Sequence, residues 1–238
     1  MSSALVVVGS SSHVLADYKP KKSYACILNS VRDISHVDCK KYNEPFELDL
    51  MNCRPSFEGL IERLGRYDEV DIVFAAYVNS GLSEDSSFSE IQAGLTANCG
   101  QPVYFFQTVS KSLPGKRIRG VFISSIYAHV APMPKNYETD SKINPLYYGV
   151  AKAGVEQGLR WLSVQNSNHT FNSIILGPMP KVSVHADSPA LVQNLLTYMS
   201  SAKMVEQNEL HSLTDYLLSS GTSVRGASFV LDGGYLCY

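Results

Sequence analysis

Tyr148 and Lys152 are separated by three residues in the run Tyr148-Gly149-Val150-Ala151-Lys152. On a helix this spacing puts both side chains on one face, one above the other. A tyrosine with an unperturbed pKa near ~10 is a poor base at neutral pH. An ammonium one turn away favours the phenolate and brings the phenol toward useful acid–base range. Just upstream, the apolar run Val121-Phe122-Ile123 ends in Ser124-Ser125, whose hydroxyls could hold a substrate oxygen. The chemistry this set suits is proton transfer to or from an oxygen. The spacing alone is common, and two ordinary helix residues would show it equally well.

The elements that must position these groups follow from hydrophobic patterning. Val121–Ile123 reads as a buried strand, since a short β-branched and aromatic run bounded by polar residues suits a central parallel strand. Pro145 stands near the start of the next helix, where a missing N–H is tolerated. Continuous or alternating apolar runs place further strands at 4–8, 24–28, 46–50, 71–76, 171–178 and 227–235. Three- and four-residue spacing of Phe57, Leu60, Ile61 and Leu64 predicts a helix over 55–66. Longer helices are expected at 89–110 and 205–219, the latter burying Leu210, Leu213, Leu217 and Leu218. Strands alternating with helices throughout predict an α/β fold, a doubly wound parallel sheet of about seven strands. With 238 residues, of which 45% are hydrophobic, the chain can bury one substantial core, so residues 1–238 are expected to form a single domain.

A strand ending in paired serines followed by a Tyr148-x-x-x-Lys152 helix resembles the active site of the short-chain dehydrogenase/reductase family, whose members carry a Rossmann fold. The resemblance implies that Ser125 orients the substrate oxygen, Tyr148 is the acid–base group and Lys152 lowers its pKa while binding the nicotinamide ribose. It makes Asn98 the fourth catalytic residue, one that kinks its helix and holds a water feeding Lys152. It also implies a nicotinamide dinucleotide held by Gly9, Ser11, Ser12 and His13 at the first turn, by Asp49 and Leu50 beside the adenine, and by Ala75, Ala76, Gly177 and Pro178. The first turn departs from the family: only Gly9 remains of several glycines, with His13 and Leu15 where the second and third are expected, and the helix after it is cut short by Pro20. At the end of the second strand, Asn29 and Ser30 offer no carboxylate for ribose hydroxyls. Arg32 nearby suits an extra phosphate, which leans toward NADP over NAD, although an exposed loop arginine would look the same. The stretch at about 181–203 corresponds to the family's substrate lid. The wording Ile-Ser-Ser-Ile-Tyr, and a long insert between Ser125 and Tyr148, resemble a subgroup found with bacterial surface-glycan and nonulosonic-acid genes.

Composition excludes several classes. The formal net charge of −2 gives no electrostatic case for nucleic acid or an anionic membrane. No apolar run approaches the roughly 20 residues that span a bilayer. The N-terminus lacks a basic region and runs straight into a strand, which argues against a secretory leader. Five scattered cysteines without metal spacing suggest reduced thiols and a cytoplasmic protein. The six histidines show no ligand spacing, so no metal is expected. Tyr104, Phe105 and Phe106 with Leu159, Trp161 and Leu162 exceed what one core face needs, which predicts a homodimer or homotetramer.

The expected function is an NAD(P)-dependent oxidoreductase acting on a small polar molecule, with a sugar or sugar nucleotide suggested by the subgroup. Two alternatives stand beside it. One is a sugar-nucleotide epimerase or dehydratase, which the long insert supports. The other is a non-catalytic subunit, which the missing glycines support and the four matched residues oppose.

Overall fold

The computed structural model describes residues 1–9, 12–15, 17–31, 44–51, 56–78, 86–136, 143–180 and 189–237. Seven parallel strands form one sheet in the order β3-β2-β1-β4-β5-β6-β7. They are β1 (Ser3–Val8), β2 (Cys26–Val31), β3 (Glu44–Glu47), β4 (Glu69–Phe74), β5 (Arg117–Ile123), β6 (His169–Leu176) and β7 (Ser228–Leu231). This is the doubly wound sheet expected, with its switch point between β1 and β4, where ligands bind in such folds. All of β1 and β6 is buried, as befits strands covered on both faces.

Helices α1 (Glu58–Leu64), α2 (Phe88–Leu95), α3 (Gln101–Ser112) and α4 (Leu146–Ser163) cover one face. Under them Phe105, Phe106, Val155, Leu159 and Leu162 pack on β4–β6. Phe74 touches the rings of Phe105, Phe106 and Phe122 at centroid separations of 5.7, 5.9 and 6.0 Å. Helix α6 (Gln207–Ser219) covers the other face through Leu210, Leu217 and Leu218. Helix α5 (Pro189–Thr197) packs Leu191 and Leu195 on Ile126, Ile175 and Tyr235 in a smaller cluster.

Close approach fixes α4 against its neighbours. A Cβ at Gly154 would lie 2.6 Å from Cys99 Sγ, and one at Gly158 would lie 2.8 Å from Val103 Cγ2. No side chain larger than hydrogen fits at either site without movement.

Two features differ from expectation. Strand β5 begins four residues before Val121, because Arg119 is buried rather than solvated. It stands opposite Asp71 in register and forms a two-point ion pair with it, Nε–Oδ1 2.6 Å and Nη2–Oδ2 2.9 Å. Glu69, Lys22 and Tyr24 complete this cluster at the starting ends of β4 and β5. Second, Phe105, Phe106, Leu159 and Leu162 are core residues, so the apolar surplus is smaller than the sequence suggested. Tyr104 and Trp161 alone of that set are exposed, at 47% and 53%.

Candidate active site

The chain reaches the C-terminal ends of β1, β4, β5 and β6 at a common cleft of about 340 Å³. Its walls include Ser12 and His13 after β1, Ala75 and Tyr77 after β4, Ser124 and Ser125 after β5, and Gly177 and Met179 after β6. Helix α4 contributes Tyr148 and Lys152. Residues more than a hundred positions apart thus meet because parallel strands all end on the same side.

Lys152 is buried. It donates one N–H to Ile123 O at 2.8 Å and lies 4.6 Å above the Phe122 ring and 5.9 Å from the Tyr148 ring centroid. Burial pulls its pKa from 10.5 to about 8, partly opposed by the Glu156 carboxylate. The Tyr148 ring is framed by two others. Tyr77 stands edge-on with centroids 4.9 Å apart and 89° between planes, and Tyr127 lies at 6.3 Å. Burial above all, then neighbouring Tyr147, push the Tyr77 phenol far above its usual range, so it serves as a neutral wall. Ser125 is the N-cap of a 3₁₀ turn over Ile126–Ala128 and accepts the Tyr127 N–H at 3.2 Å. That acceptance leaves its own O–H to donate elsewhere.

Asn98 lies in a five-residue π segment, Thr96–Gly100, between α2 and α3, where the helix departs from α geometry. Its Oδ1 accepts the Val78 N–H at 2.7 Å, while Nδ2 donates to Val78 O at 2.8 Å and to Gly94 O at 3.1 Å. Both amide hydrogens are therefore engaged, and the side chain anchors the backbone beyond β4. A water feeding Lys152 would have to be held by another part of the residue.

The first turn is unlike a dinucleotide grip. A single 3₁₀ turn, His13–Leu15, stands where a helix was expected, and the Gly9 N–H donates to Ser30 Oγ at 2.9 Å. Gly9 itself is required there, since φ is +83° and a Cβ would come 2.5 Å from Ala76 N. Asp49 accepts the Met51 N–H, and Leu50 is buried in the core. Gly9, Asp49, Leu50, Ala76 and Pro178 do not line the cleft. Ser11 and Arg32 lie outside the described residues, as do residues 181–188 of the expected lid.

Sequence reasoning did not assign Val14, Tyr77, Ile123 and Met179 to the cleft wall, or Glu156 beneath it. Tyr148, Lys152 and Glu156 recur at i, i+4 and i+8, a spacing that could have revealed the last.

The family described as enoyl-(acyl carrier protein) reductase matches residues 47–236. The chain belongs to the short-chain dehydrogenase/reductase family. That family model begins at residue 47, beyond the atypical first turn, and takes in every residue of the Asn98, Ser125, Tyr148 and Lys152 set. No curated protein matches the chain. Solved structures of short-chain dehydrogenase/reductase type match its fold. One is a short chain dehydrogenase from Leptospira borgpetersenii with bound NAD+, 18% identical, TM-score 0.77, covering 99% of this chain and 93% of that one. The NADPH-dependent 3-quinuclidinone reductase of Rhodotorula rubra is 16% identical, with TM-score 0.79 and coverage of 99% and 92%. A mutant 4-hydroxyisoleucine dehydrogenase complexed with NADH and succinate is 18% identical, with TM-score 0.78 and 99% of both chains covered. At these identities the likeness shows the fold.

The cleft suits the nicotinamide cofactor of such enzymes. Ser12 Oγ is buried on its wall without a hydrogen-bond partner among the described residues. A buried hydroxyl in that condition is suited to a polar ligand group. Lys152 at the centre carries the donors a ribose would need. Among the described residues no helix is long and apolar enough to cross a membrane.

Proposed function

We propose that the protein is an NAD(P)-dependent oxidoreductase that interconverts a carbonyl and an alcohol on a small polar substrate. The convergence of Ser125, Tyr148 and Lys152 on one cleft carries this reading. The cofactor, when bound, supplies or takes up the hydride. In the reducing direction the Ser125 O–H donates to the carbonyl oxygen and fixes its position. Tyr148 gives that oxygen its proton as negative charge develops there. The Lys152 ammonium, held against Ile123 O, stabilises the phenolate left behind and binds the ribose. Asn98 holds the backbone wall after β4 in place. In the oxidising direction each proton movement reverses.

NADP is the preferred cofactor, since neither Asn29 nor Ser30 supplies a carboxylate for ribose hydroxyls and Arg32, close by in sequence, suits an extra phosphate. The subgroup resemblance and the insert after Ser125 favour a sugar or sugar nucleotide as substrate. The stretch at about 181–203 serves as its lid. There Asn194 Nδ2 donates to Asn136 O at 3.3 Å, joining α5 to the insert. The exposed side chains of Leu146, Val150 and Trp161 along α4 and of Val164 just after it, with Tyr104 on α3, support a homodimer or homotetramer. Cys26, Cys99 and Cys237 are unbridged, in keeping with a cytoplasmic setting.

One observation favours a second reading, a subunit that has lost catalysis: the 3₁₀ turn after β1 and the engaged Gly9 N–H. Titration with NADPH and NADH separates the two. Binding of at least one, NADPH more tightly, is expected, whereas binding of neither decides for the second reading. With a substrate found among keto or oxidisable sugars, Tyr148→Phe should keep cofactor affinity and lose about 10²–10⁴-fold in turnover. A wild-type rate in that variant overturns the role given to Tyr148.

A further inference from the structure

Glu156 is a buried carboxylate, 2% exposed, one helical turn beyond Lys152. Three separate elements reach it. Ser124, the residue before Ser125, donates its hydroxyl to Oε1. Ser228 on β7 donates to Oε2 at 2.9 Å, and His129, from the insert after β5, approaches Oε2 with Nε2 at 3.1 Å. Arg160 on the same helix has its guanidinium 3.6 Å from Oε2. Lys152 is the other charged group facing it, from one turn back.

A carboxylate taken so far out of water carries a desolvation cost of several kcal/mol unless it is well paired. A purely structural role needs only acceptors for the Ser124 and Ser228 hydroxyls, which a neutral polar side chain could in part provide. What a neutral residue could not supply is negative charge beside a buried ammonium. Lys152 lies over an aromatic ring and donates to a neutral carbonyl, so Glu156 is the acidic group acting on it.

We propose that Glu156 is a positioning residue of this site, acting through Lys152 and Ser124. Its charge keeps Lys152 an ammonium, and its hydrogen bond to Ser124 ties the strand end presenting Ser125 to the helix carrying Tyr148 and Lys152. His129, whose side chain is 37% exposed, is the point at which solvent-side charge reaches this carboxylate. The functional part rests on the oxidoreductase reading above, but the electrostatic part is measurable without a substrate.

Burial lowers the Lys152 pKa and Glu156 opposes that lowering, so removing the acid lets the lysine lose its proton at a lower pH. Lysine-selective ¹⁵N labelling of the cofactor-free protein, with the Lys152 signal assigned by its loss in Lys152→Met, gives the titration midpoint directly. In Glu156→Gln, which keeps the size, removes the charge and turns one of the two accepting oxygens into a donor, the midpoint should fall by roughly one pH unit. Glu156→Asp should restore most of it. Should Glu156→Gln fail to fold, His129→Arg sets a permanent cation against the same carboxylate from a partly exposed position, and the midpoint should fall again. An unchanged midpoint in the folded variants overturns the proposal. Where a substrate is turned over, the alkaline fall of the rate should move with the midpoint. If Tyr148→Phe is inactive while that fall stays in place in the Glu156 and His129 variants, the oxidoreductase reading stands and the role of Glu156 is lost. If Tyr148→Phe keeps the wild-type rate, the role given to Tyr148 fails on its own, and the titration midpoint still decides the role of Glu156.

Discussion

Asn98 and Val78 are locked to each other through both ends of one amide: the Asn98 carbonyl accepts the Val78 N–H and the Asn98 amino group donates to the Val78 carbonyl. Twenty residues separate them, yet the pairing imitates a strand ladder and closes the gap between β4 and the π segment. Replacement by alanine leaves two backbone groups of a partly buried stretch without partners.

Asn98→Ala is therefore expected to lower stability by about 1–3 kcal/mol. Urea unfolding followed by circular dichroism measures this. Turnover should fall as well, because Tyr77, which borders the Tyr148 ring, precedes the freed residue. A variant as stable and fast as the wild type would make the amide contacts incidental.

Lys152 links activity to stability with opposite signs. Its folded pKa of about 8 lies below the unfolded value, so above ~10.4 both states are neutral and the lysine costs nothing. As pH falls below ~10.4 the unfolded chain binds the proton first, and the cost is complete below about 8, reaching on the order of 3 kcal/mol. Lys152→Met should abolish turnover and raise the unfolding midpoint at pH 7, with the gain shrinking as pH approaches 10. Melting curves at several pH values check this, and a variant destabilised at pH 7 would contradict it.

Arg119→Met should act in the reverse manner. Removing its two-point partner leaves the buried Asp71 with the partly exposed Lys22 and the Tyr24 hydroxyl alone, a loss bounded by the about 3–5 kcal/mol of a fully broken buried pair. The pair lies at the starting ends of β4 and β5, whereas the cleft lies at their far ends. Cofactor affinity per folded molecule should stay at the wild-type level. Chemical denaturation and a cofactor titration, run together, separate the two effects.

Trp161 and Val150 stand exposed along α4, at 53% and 55%. If this stripe joins two copies, Trp161→Glu should shift the protein toward monomer at micromolar concentration in light scattering, with its circular dichroism unchanged. A wild-type protein that is already monomeric would remove the basis for the interface.

The elements legible from sequence were those whose signal is local. The Tyr148–Lys152 spacing, the unbroken apolar run of β1 and the leucine pattern of α6 each declare themselves within one or two turns or strands. Features set by long-range pairing were not legible. Arg117-Ile118-Arg119 reads as a polar stretch until Asp71 is known to stand across from Arg119 in register. Glu156 reads as a surface residue of an amphipathic helix until Ser124, His129 and Ser228 close over it. Tyr104, Phe105 and Phe106 look equally apolar in sequence, and only the direction each takes on α3 separates core from surface. The shortened turn after β1 was foreshadowed by Pro20 and the lone Gly9. Its reduction to a single 3₁₀ turn was not, because a weak pattern does not say what replaces the missing helix.

The close contacts of Gly154 with Cys99 and of Gly158 with Val103 bear on how this protein can change over generations. Any side chain gained at either glycine would press on Cys99 or Val103 and displace the helix that carries Tyr148 and Lys152, so the two catalytic groups form a reference frame that substitution there would disturb. Inheritable shifts in substrate preference are then confined to the stretches outside that frame: the insert between Ser125 and Pro145, and the segment running from Pro178 through α5. Duplicated copies of the gene would be expected to diverge there first, keeping the same proton-transfer chemistry while exchanging the molecules it acts upon.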